Sequence, residues 1–399
     1  MNADLAIVGG GVVGCFVAHQ AMRARPDWRV LLLERSAVGA GATAWSAGAS
    51  FPLAATARHR ELVRESAVGY AALRDTTAGP FLRPVRMIYV IRRSGLDGLR
   101  GRIVDAAPRP VTAAERRRVE EILPDMRLEP DDEMVTHDGH GFMVHARMVA
   151  EALVTAVAGR VETQLGQQVT AVEPVGGRPG PGYRLVTAAG QWAARRVVLA
   201  SGPWTPPVVG PVPLPALPGA RRKRVAALYA RLPVRVGDPL VYFLDDDLFI
   251  LPLTAGTALV SFYRDEWDTD PDAMDGRPSA EDLRLGTAAL AGRSVRAAAA
   301  VTGGRAFCDL YTANRLPVVS SDPDLPGLAA VRGCSGSGVR LAPALAAEAL
   351  RAVLPGVPAA FPDPAGARDA AGAREAAGTC GPDGARGPDQ LASQLRRHP

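Results

Sequence analysis

The sequence predicts an α/β fold built around a parallel, nucleotide-binding sheet, and three observations support this prediction. The apolar run LAIV at residues 5–8 leads into a turn with the spacing G-x-G-x-x-G, formed by Gly9, Gly11 and Gly14. An apolar-periodic segment typical of a helix follows. A second apolar run, WRVLLLERS, contains Glu34, twenty residues after the last glycine. This order of strand, glycine turn, helix and acidic residue is typical of dinucleotide binding.

Each residue of this motif has a physical role in holding a dinucleotide. Gly9 permits the tight turn, Gly11 lets a pyrophosphate approach the backbone, and Gly14 lets the helix pack closely on the strand. The phosphates then lie at the positive N-terminus of the helix. The Glu34 carboxylate can accept hydrogen bonds from ribose hydroxyls. The glycine motif alone is weak evidence, and its combination with Glu34 is strong.

Composition and charge indicate a globular cytoplasmic protein that does not bind nucleic acid. The 399 residues suffice for about two domains. The net charge of +5 is dispersed, Lys223 is the only lysine, and the densest basic run, 219–226, is short. The four cysteines have neither C-x-x-C nor metal-ligand spacing, so we expect no metal and a reducing compartment. The apolar runs are too short to span a membrane, and the N-terminal run lacks the features of a signal peptide.

Periodicity predicts further elements between successive returns of the chain to the nucleotide. Helical spacing is present at 57–75 and 280–292, and Thr112 with Glu115 is a capping pair for another helix. The block 222–265 and the segment AFCDLYTANRLPVV are predicted to form strands. Two later motifs, VVLASGPW and GCSGSGVRLAPALAAEAL, repeat the pattern of strand and glycine turn. A substrate domain is therefore expected between the nucleotide-binding segments.

In the order and spacing of these motifs, the sequence resembles the FAD-dependent D-amino-acid oxidase superfamily, in the branch of glycine oxidase and monomeric sarcosine oxidase. The motifs that carry the resemblance are IVGGGVVG, LLERSAVGAGATAWSAG, QQVTAVE, VVLASGPW and GCSGSGVRLAPALAAEAL. The second and last motifs favour FAD over NAD. The resemblance implies a Rossmann-like FAD-binding domain interleaved with an antiparallel-sheet α+β substrate domain.

The implied domain boundaries follow the order of these motifs. The FAD-binding domain is expected at 1–80, 142–215 and 312–356, and the substrate domain at 81–141 and 216–311. Residues 357–399 are rich in Ala, Gly and Pro and are expected to form a disordered tail.

The resemblance also assigns the cofactor contacts along the chain. Val12 and Val13 would join the glycine turn at the pyrophosphate, and Glu34 and Arg35 would lie at the adenosine ribose. The remaining implied contacts are Ala42 and Thr43 at the phosphates, Ala47, Gly48 and Ala49 beneath the flavin, Val169 at the adenine, Gly202, and the turn of Cys334, Ser335, Gly336, Ser337, Gly338, Val339 and Arg340 around the pyrimidine ring. Backbone N–H groups at a helix N-terminus would stabilise negative charge on the reduced flavin.

The reaction implied by the resemblance is oxidation of a C–N bond. A hydride passes to flavin N5, the imine is hydrolysed, and oxygen reoxidises the flavin, so the protein mainly orients the substrate and recognises its charge. A substrate carboxylate would meet an arginine, whose planar fork suits bidentate binding. Arg340 is the first candidate, because sarcosine oxidase has a carboxylate-binding lysine at this position. Arg305 and Arg58 are further candidates, and Tyr311 is a candidate for the substrate pocket.

Departures from the family pattern bear on the substrate and on oxygen. The carboxylate-binding arginine of glycine oxidase would fall on Gly336, which favours an N-substituted glycine or another secondary amine over glycine. The oxygen-activating lysine of sarcosine oxidase would align near Val260. Either Lys223 or an arginine such as Arg264 supplies the positive charge instead, or the enzyme is a dehydrogenase that uses another acceptor.

Cys308 is a candidate for a covalent link to the flavin. In sarcosine oxidase the linking cysteine closely precedes a Tyr-Thr pair, and FCDLYT has one additional residue. That residue moves the cysteine to the opposite face of a strand unless a bulge absorbs it. A buried core thiol is the alternative interpretation.

Three histidines are expected to lie outside the catalytic machinery. His145 is expected to cap or pack a helix, and His137 and His140 are expected in a solvated turn.

The rival functions are a flavin-dependent hydroxylase, an NAD-linked dehydrogenase and a flavoprotein subunit without catalytic activity.

Overall fold

A computed structural model describes residues 2–139, 141–176, 182–205, 208–209 and 212–354. His140, Cys380 and the expected tail at 357–399 lie outside these residues. Among the described helices, none has the length and apolarity needed to cross a membrane.

A six-stranded sheet forms the centre of the nucleotide side. Its strands, in spatial order, are Val161–Gln164, Val30–Leu33, Leu5–Val8, Val197–Leu199, Leu328–Arg332 and Val318–Ser321. All neighbours are parallel except the last pair. The four inner strands are buried throughout, as expected for strands that are covered on both faces.

Helices and a smaller sheet supply these two covers. The helices Val12–Ala24, Ala57–Ala71, Ala146–Thr155 and Gly338–Val353 share one apolar cluster with the sheet. A second apolar cluster lies between the sheet and a four-stranded sheet. The strands of that smaller sheet, in spatial order, are Asn2–Ala3, Gly190–Ala194, Gly182–Thr187 and Val169–Val175.

An eight-stranded, mainly antiparallel sheet forms the other half of the molecule. Its strands, in spatial order, are Val301–Tyr311, Arg221–Ala230, Thr257–Ser261, Leu248–Thr254, Leu240–Phe243, Met87–Arg92, Asp132–Thr136 and Arg109–Pro110. On its outer face, apolar side chains pack with the helices Ala113–Ile122, Ala280–Arg293 and Val295–Ala299. Its inner face packs with residues 47, 49, 51 and 53.

Short elements complete the described chain. A three-stranded sheet contains Ala49–Ser50, Gly141–Val144 and Leu82–Val85, and a two-stranded sheet pairs Val208–Val209 with Val212–Pro213. The short helices are Ala42–Trp45 and Leu96–Arg102. Single 3-10 turns lie at Gly79–Phe81, Arg93–Gly95, Gly202–Trp204 and Pro271–Ala273.

The predicted fold class, a parallel α/β sheet combined with an antiparallel sheet, is confirmed. Thr112 and Glu115 form the predicted capping box. The segment AFCDLYTANRLPVV is not one strand, because the chain turns after Tyr311, where Arg315 has a φ of +57°. Strands of the six-stranded sheet come from the ranges expected for the FAD-binding domain, and those of the eight-stranded sheet from the other ranges. The domain boundaries themselves stay a prediction.

Candidate active site

A cavity of about 280 Å³ opens at the carboxyl ends of the parallel strands Leu5–Val8, Val30–Leu33 and Val197–Leu199. This is the edge of an open parallel sheet where ligands bind. The cavity extends to Val301–Tyr311 of the eight-stranded sheet. The predicted cofactor residues that line it are Gly9, Gly11, Val12, Val13, Glu34, Arg35, Ala42, Thr43, Val169, Gly202, Cys308, Cys334, Gly336, Gly338 and Val339.

The glycine turn at one end of the cavity leaves no room for side chains. Gly9 has a φ of +108°, and a Cβ there would lie 2.6 Å from the carbonyl oxygen of Ala200. A Cβ on Gly14 would lie 2.0 Å from the carbonyl oxygen of Gly9. The turn therefore brings the N-terminus of Val12–Ala24 against the sheet, where the backbone N–H of Val12 donates to Thr43 Oγ1 at 3.0 Å. Positive N–H groups at this edge suit a pyrophosphate.

Glu34 is fixed at the end of its strand by backbone hydrogen bonds. Its side chain is buried, Oε2 accepts from the Gly10 N–H at 2.7 Å, and Oε1 accepts from the Ser36 N–H at 2.8 Å. Both bonds leave further lone pairs on the carboxylate. A ribose in the cavity could therefore donate its hydroxyl hydrogens to Glu34.

Arg35, Trp204 and Asp272 form a cluster along the same wall. The Arg35 guanidinium lies 4.3 Å from the centroid of the Trp204 ring and pairs with Asp272 at 2.7 Å. The indole Nε1–H of Trp204 donates to the same Asp272 oxygen at 2.8 Å. Sequence reasoning missed Trp204 and Asp272 as site residues. Trp204 ends the motif VVLASGPW, whereas Asp272 lies between the strands Thr257–Ser261 and Val301–Tyr311 and carries no local signal.

Seven predicted cofactor residues do not line this cavity: Gly14, Ala47, Gly48, Ala49, Ser335, Ser337 and Arg340. Gly48 has a φ of +69°, and a Cβ there would lie 2.0 Å from the Val144 carbonyl oxygen. Its neighbours Ala47 and Ala49 pack on the inner face of the eight-stranded sheet. This segment therefore lies between the two halves of the molecule.

The glycine turn at 333–338 is held by hydrogen bonds to the strand Val301–Tyr311 and the residue after it. Ser335 Oγ accepts from the Thr312 N–H at 3.1 Å, and the Gly336 N–H donates to Asp309 Oδ2 at 2.7 Å. Ser335 and Gly336 have φ values of +53° and +77°. The helix Gly338–Val353 begins directly after this turn, without a side-chain cap. Its N-terminal N–H groups suit negative charge, as the sequence predicts for the flavin.

Lys223, Asp309 and Tyr311 lie on the inner face of the eight-stranded sheet. Lys223 and Asp309 are register partners on neighbouring antiparallel strands, so their side chains leave the sheet on the same side. Tyr311, two residues beyond Asp309, shares that side. A Cβ on Gly336 would lie 2.9 Å from the Tyr311 hydroxyl, so Tyr311 reaches the glycine turn.

Lys223 is buried in an aromatic surround. Its Nζ lies 3.9 Å from the ring centroid of Tyr263, 5.0 Å from Trp267 and 5.2 Å from Tyr311. Burial lowers the pKa of Lys223 to about 8, with Arg315 lowering it further and two carboxylates opposing the change. The ammonium is therefore protonated at neutral pH and loses its proton in the mildly alkaline range.

Arg340 is a buried cation, Arg305 is half-buried, and Arg58 is exposed. Arg340 is 6% exposed, donates from Nη2 to the Leu53 carbonyl oxygen and lies 4.6 Å over Phe51. Burial lowers its pKa to about 10. The Nε atoms of Arg340 and Arg305 have no hydrogen-bond partner among the described residues. Arg340 is therefore not a residue of the helix surface.

Arg58 and Arg264 have carboxylate partners outside the cavity. Arg58 pairs with Glu348 and Glu61 on the helix surface. Arg264 pairs with Asp282 at 3.0 Å and with Glu266. These ion pairs account for both arginines without a substrate or oxygen.

Cys308 and Asp309 both line the cavity but leave their strand on opposite sides. The strand pairing is regular from Arg221 to Leu228, so no bulge absorbs the additional residue of FCDLYT. Cys308 Sγ lies 3.6 Å from the Thr269 carbonyl oxygen, and burial raises its pKa to about 12. Sequence reasoning missed Asp309, although counting back two residues from Tyr311 would have placed it on the same face.

Val260, the position expected to align with the oxygen-activating lysine of sarcosine oxidase, projects away from the cavity. Val260 is fully buried in the outer apolar cluster and is the register partner of Leu228 in the same cluster. Ala227, whose side chain points as that of Lys223 does, belongs to the inner cluster. Lys223 and Val260 therefore lie on opposite faces of the sheet.

His137 and His145 do not line the cavity. The expectation of a solvated turn is wrong for His137, which is 2% exposed and lies 3.3 Å from the Tyr89 hydroxyl. Burial follows because the preceding residues form a strand of the eight-stranded sheet. His145 takes the N-cap position of Ala146–Thr155 without a side-chain cap. No group of metal-ligating side chains occurs in the described part of the chain.

Known proteins share both the family pattern and the fold. The model of the family described as DAO, FAD dependent oxidoreductase, matches residues 4–351. Glycine oxidase from Geobacillus kaustophilus is 22% identical, with a TM-score of 0.71 over 88% of this chain and 94% of that chain. L-proline dehydrogenase from P. horikoshii is 14% identical, with a TM-score of 0.72 over 90% and 94%. Iminodiacetate oxidase from Chelativorans sp. BNC1 is 21% identical, with a TM-score of 0.69 over 90% and 97%. None of the curated proteins matches the sequence.

Proposed function

Because the chain belongs to the family of FAD-dependent oxidoreductases whose model matches residues 4–351, we propose that it oxidises the C–N bond of an amino acid or secondary amine. The preferred substrate is an N-substituted glycine. The observation that carries this proposal is the pair of buried cations, Lys223 and Arg340, on the inner side of the eight-stranded sheet. Buried cations without carboxylate partners are costly unless an anion reaches them, and a substrate carboxylate is such an anion.

The residues of the cavity fit FAD. The glycine turn with Thr43 suits the pyrophosphate, Glu34 suits the ribose, and the turn at 333–338 suits the pyrimidine edge of the flavin. When bound, FAD supplies the acceptor for the substrate hydride. The chain's own residues then have to bind the carboxylate, orient the amine and exclude water.

Arg340 and Lys223 are the groups assigned to the substrate and to oxygen. The Arg340 guanidinium attracts the carboxylate, and Tyr311 borders the space next to the glycine turn. The presence of Gly336, where glycine oxidase has an arginine, favours a substrate whose nitrogen carries a further carbon. Lys223 supplies the positive charge that favours electron transfer to oxygen, and Arg305, on the neighbouring strand, is a second candidate for the carboxylate.

An FAD-dependent dehydrogenase is the second candidate function. The presence of Val260 at the position expected to align with the oxygen-activating lysine of sarcosine oxidase favours it, because valine supplies no cation there. One of the structural neighbours is also named a dehydrogenase. Lys223 decides between the two functions, since it is the cation left to assist oxygen.

Anaerobic titration of the FAD-loaded protein tests the proposed function. Sarcosine, N-ethylglycine and proline should bleach the visible flavin absorbance, and glycine should do so weakly. Arg340→Met should raise the sarcosine concentration that gives half the maximal rate of anaerobic flavin reduction about 10- to 100-fold, as expected for a lost charge-assisted hydrogen bond. The same variant should be little changed toward sarcosine methyl ester, which has no carboxylate. A yellow protein that no amine reduces contradicts the proposal and favours a hydroxylase or a non-catalytic flavoprotein.

A side test addresses Cys308. After acid precipitation, flavin in the pellet would demonstrate a covalent link, and Cys308→Ser should then release it. Flavin in the supernatant would identify Cys308 as a core thiol.

A further inference from the structure

Asp309 places a buried carboxylate in the wall of the cofactor cavity. It is 6% exposed and lines the cavity together with Gly336. Asp309 Oδ1 accepts from the Leu310 N–H at 2.8 Å, and Oδ2 accepts from the Gly336 N–H at 2.7 Å. Gly336 belongs to the turn that is expected to contact the flavin. The Asp309 carboxylate is therefore hydrogen-bonded directly to a residue of the expected cofactor site.

The charged and titratable groups around Asp309 do not neutralise it. Among the described residues it forms no ion pair. Lys223, its partner on the neighbouring strand, directs its ammonium over Tyr263. The charge of Asp309 also acts on Cys308 and Tyr311 of its own strand and on Cys334 in the glycine turn, and burial raises the pKa of all three. More distant charges, Arg315 and Asp247, act on Tyr311. Apart from the Lys223 ammonium, the described groups next to Asp309 are therefore neutral at neutral pH, and none of them forms an ion pair with it.

This position makes the protonation of Asp309 sensitive to the charge of the cofactor. Burial already raises the pKa of Asp309 to about 6, and the two N–H donors oppose that rise. Reduced flavin can carry one more negative charge than oxidised flavin. A like charge in a low-dielectric site raises the pKa of a carboxyl group further. Asp309 would then bind a proton at a pH where it is ionised next to the oxidised cofactor.

We propose that Asp309 is a proton-uptake residue of the cofactor site, whose carboxylate takes one proton from solvent when the bound FAD gains two electrons. The reductant supplies the two electrons, and the proton bonds to a carboxylate oxygen to give the neutral acid. When the electrons leave the cofactor, the acid returns its proton to solvent. The inference rests on the proposed place of FAD in this cavity. Asp309 would act on the cofactor through its charge and is therefore a positioning residue.

The midpoint potential of the bound FAD, measured against pH on both sides of pH 6, tests this proposal. Dithionite is the reductant for the wild-type holoprotein, Asp309→Asn and Asp97→Asn. Asparagine keeps an acceptor for the Gly336 N–H, and Asp97 is a control because its side chain is 91% exposed. Above pH 6 the wild type and D97N should take up one proton more per two electrons than D309N. Each tenfold rise in proton affinity corresponds to about 30 mV for a two-electron couple, so D309N should have the higher potential at alkaline pH.

Parallel potential–pH lines for wild type and D309N, or a lower potential for D309N, would overturn the proposal. If D309N does not retain FAD, the wild type alone decides through reduced-minus-oxidised infrared difference spectra. A carboxylic-acid carbonyl band should appear on reduction above pH 6, and its absence counts against Asp309. Because dithionite reduces FAD in any flavoprotein, a protein that no amine reduces would sink the proposed function and leave this test intact.

Discussion

Lys223 shows how one residue can combine burial, charge and a pKa near the working pH. No carboxylate among the described residues forms an ion pair with it, and three aromatic rings surround its Nζ. Such rings stabilise an ammonium through their negative faces. Desolvation still dominates and lowers its pKa to about 8. The positive charge that we assign to oxygen activation is therefore present at neutral pH, and it is lost as the pH rises through about 8.

Lys223→Met should slow reoxidation of the reduced flavin by oxygen about 100-fold, as expected when one preorganised charge is lost, while amine-driven reduction changes little. The wild-type rate of reoxidation should fall as the pH rises through about 8, because the ammonium loses its proton there. Lys223→Arg is the matched control, since arginine keeps its charge and should abolish the pH dependence. Stopped-flow absorbance after mixing with oxygenated buffer measures both rates. Equally slow reoxidation of wild type and Lys223→Met would favour the dehydrogenase.

At the scale of elements, close contacts explain which glycines are indispensable. The helix Val12–Ala24 can approach the sheet only because Gly14 has no side chain. Gly292, in the helix Ala280–Arg293, has open space around it, and a Cβ added there would meet no heavy atom within 4 Å. The same residue type is therefore a requirement in one helix and a cost in the other.

Gly14→Ala should abolish FAD binding or folding, because its Cβ would overlap the Gly9 carbonyl oxygen. Gly292→Ala should stabilise the protein by about 0.5–1 kcal/mol, since alanine is the better helix former. Chemical denaturation and flavin content of the purified variants measure the two effects. Normal flavin content in Gly14→Ala would contradict the assigned role of the glycine turn.

Local pattern predicted the elements that depend on nearby residues, and it missed contacts between distant ones. The glycine turn, Glu34 and the Thr112–Glu115 capping box follow from spacing alone. Asp272 meets Arg35 and Trp204 only because the segment after the eight-stranded sheet's central strands folds back on the cavity. Burial of His137 likewise depends on a strand pairing that its own loop does not reveal.

At the scale of the whole molecule, the cofactor cavity draws its walls from both sheets. Gly9 and Glu34 follow strands of the six-stranded sheet, and Asp309 lies in the eight-stranded sheet. A ligand that contacts both walls stabilises the folded state and not the unfolded chain. Occupancy of the cavity should therefore be visible in the stability of the whole protein.

Added FAD should raise the Tm of the apoprotein, and the rise should grow with the logarithm of FAD concentration. At 100 times the Kd, the expected stabilisation is about 2.7 kcal/mol. NAD at the same concentrations is the control and should leave the Tm nearly unchanged. Scanning calorimetry measures both, and a Tm that responds to NAD rather than FAD would revive the NAD-linked alternative.

The single lysine gives the protein a chemical reporter that most enzymes lack. Reagents that acylate primary amines can modify two kinds of group in this chain, the terminal amine and the ε-amine of Lys223. The latter is shielded by its aromatic neighbours and 5% exposed. The extent of its acylation would thus record how often this part of the site opens to solvent, at a single residue and without an introduced label.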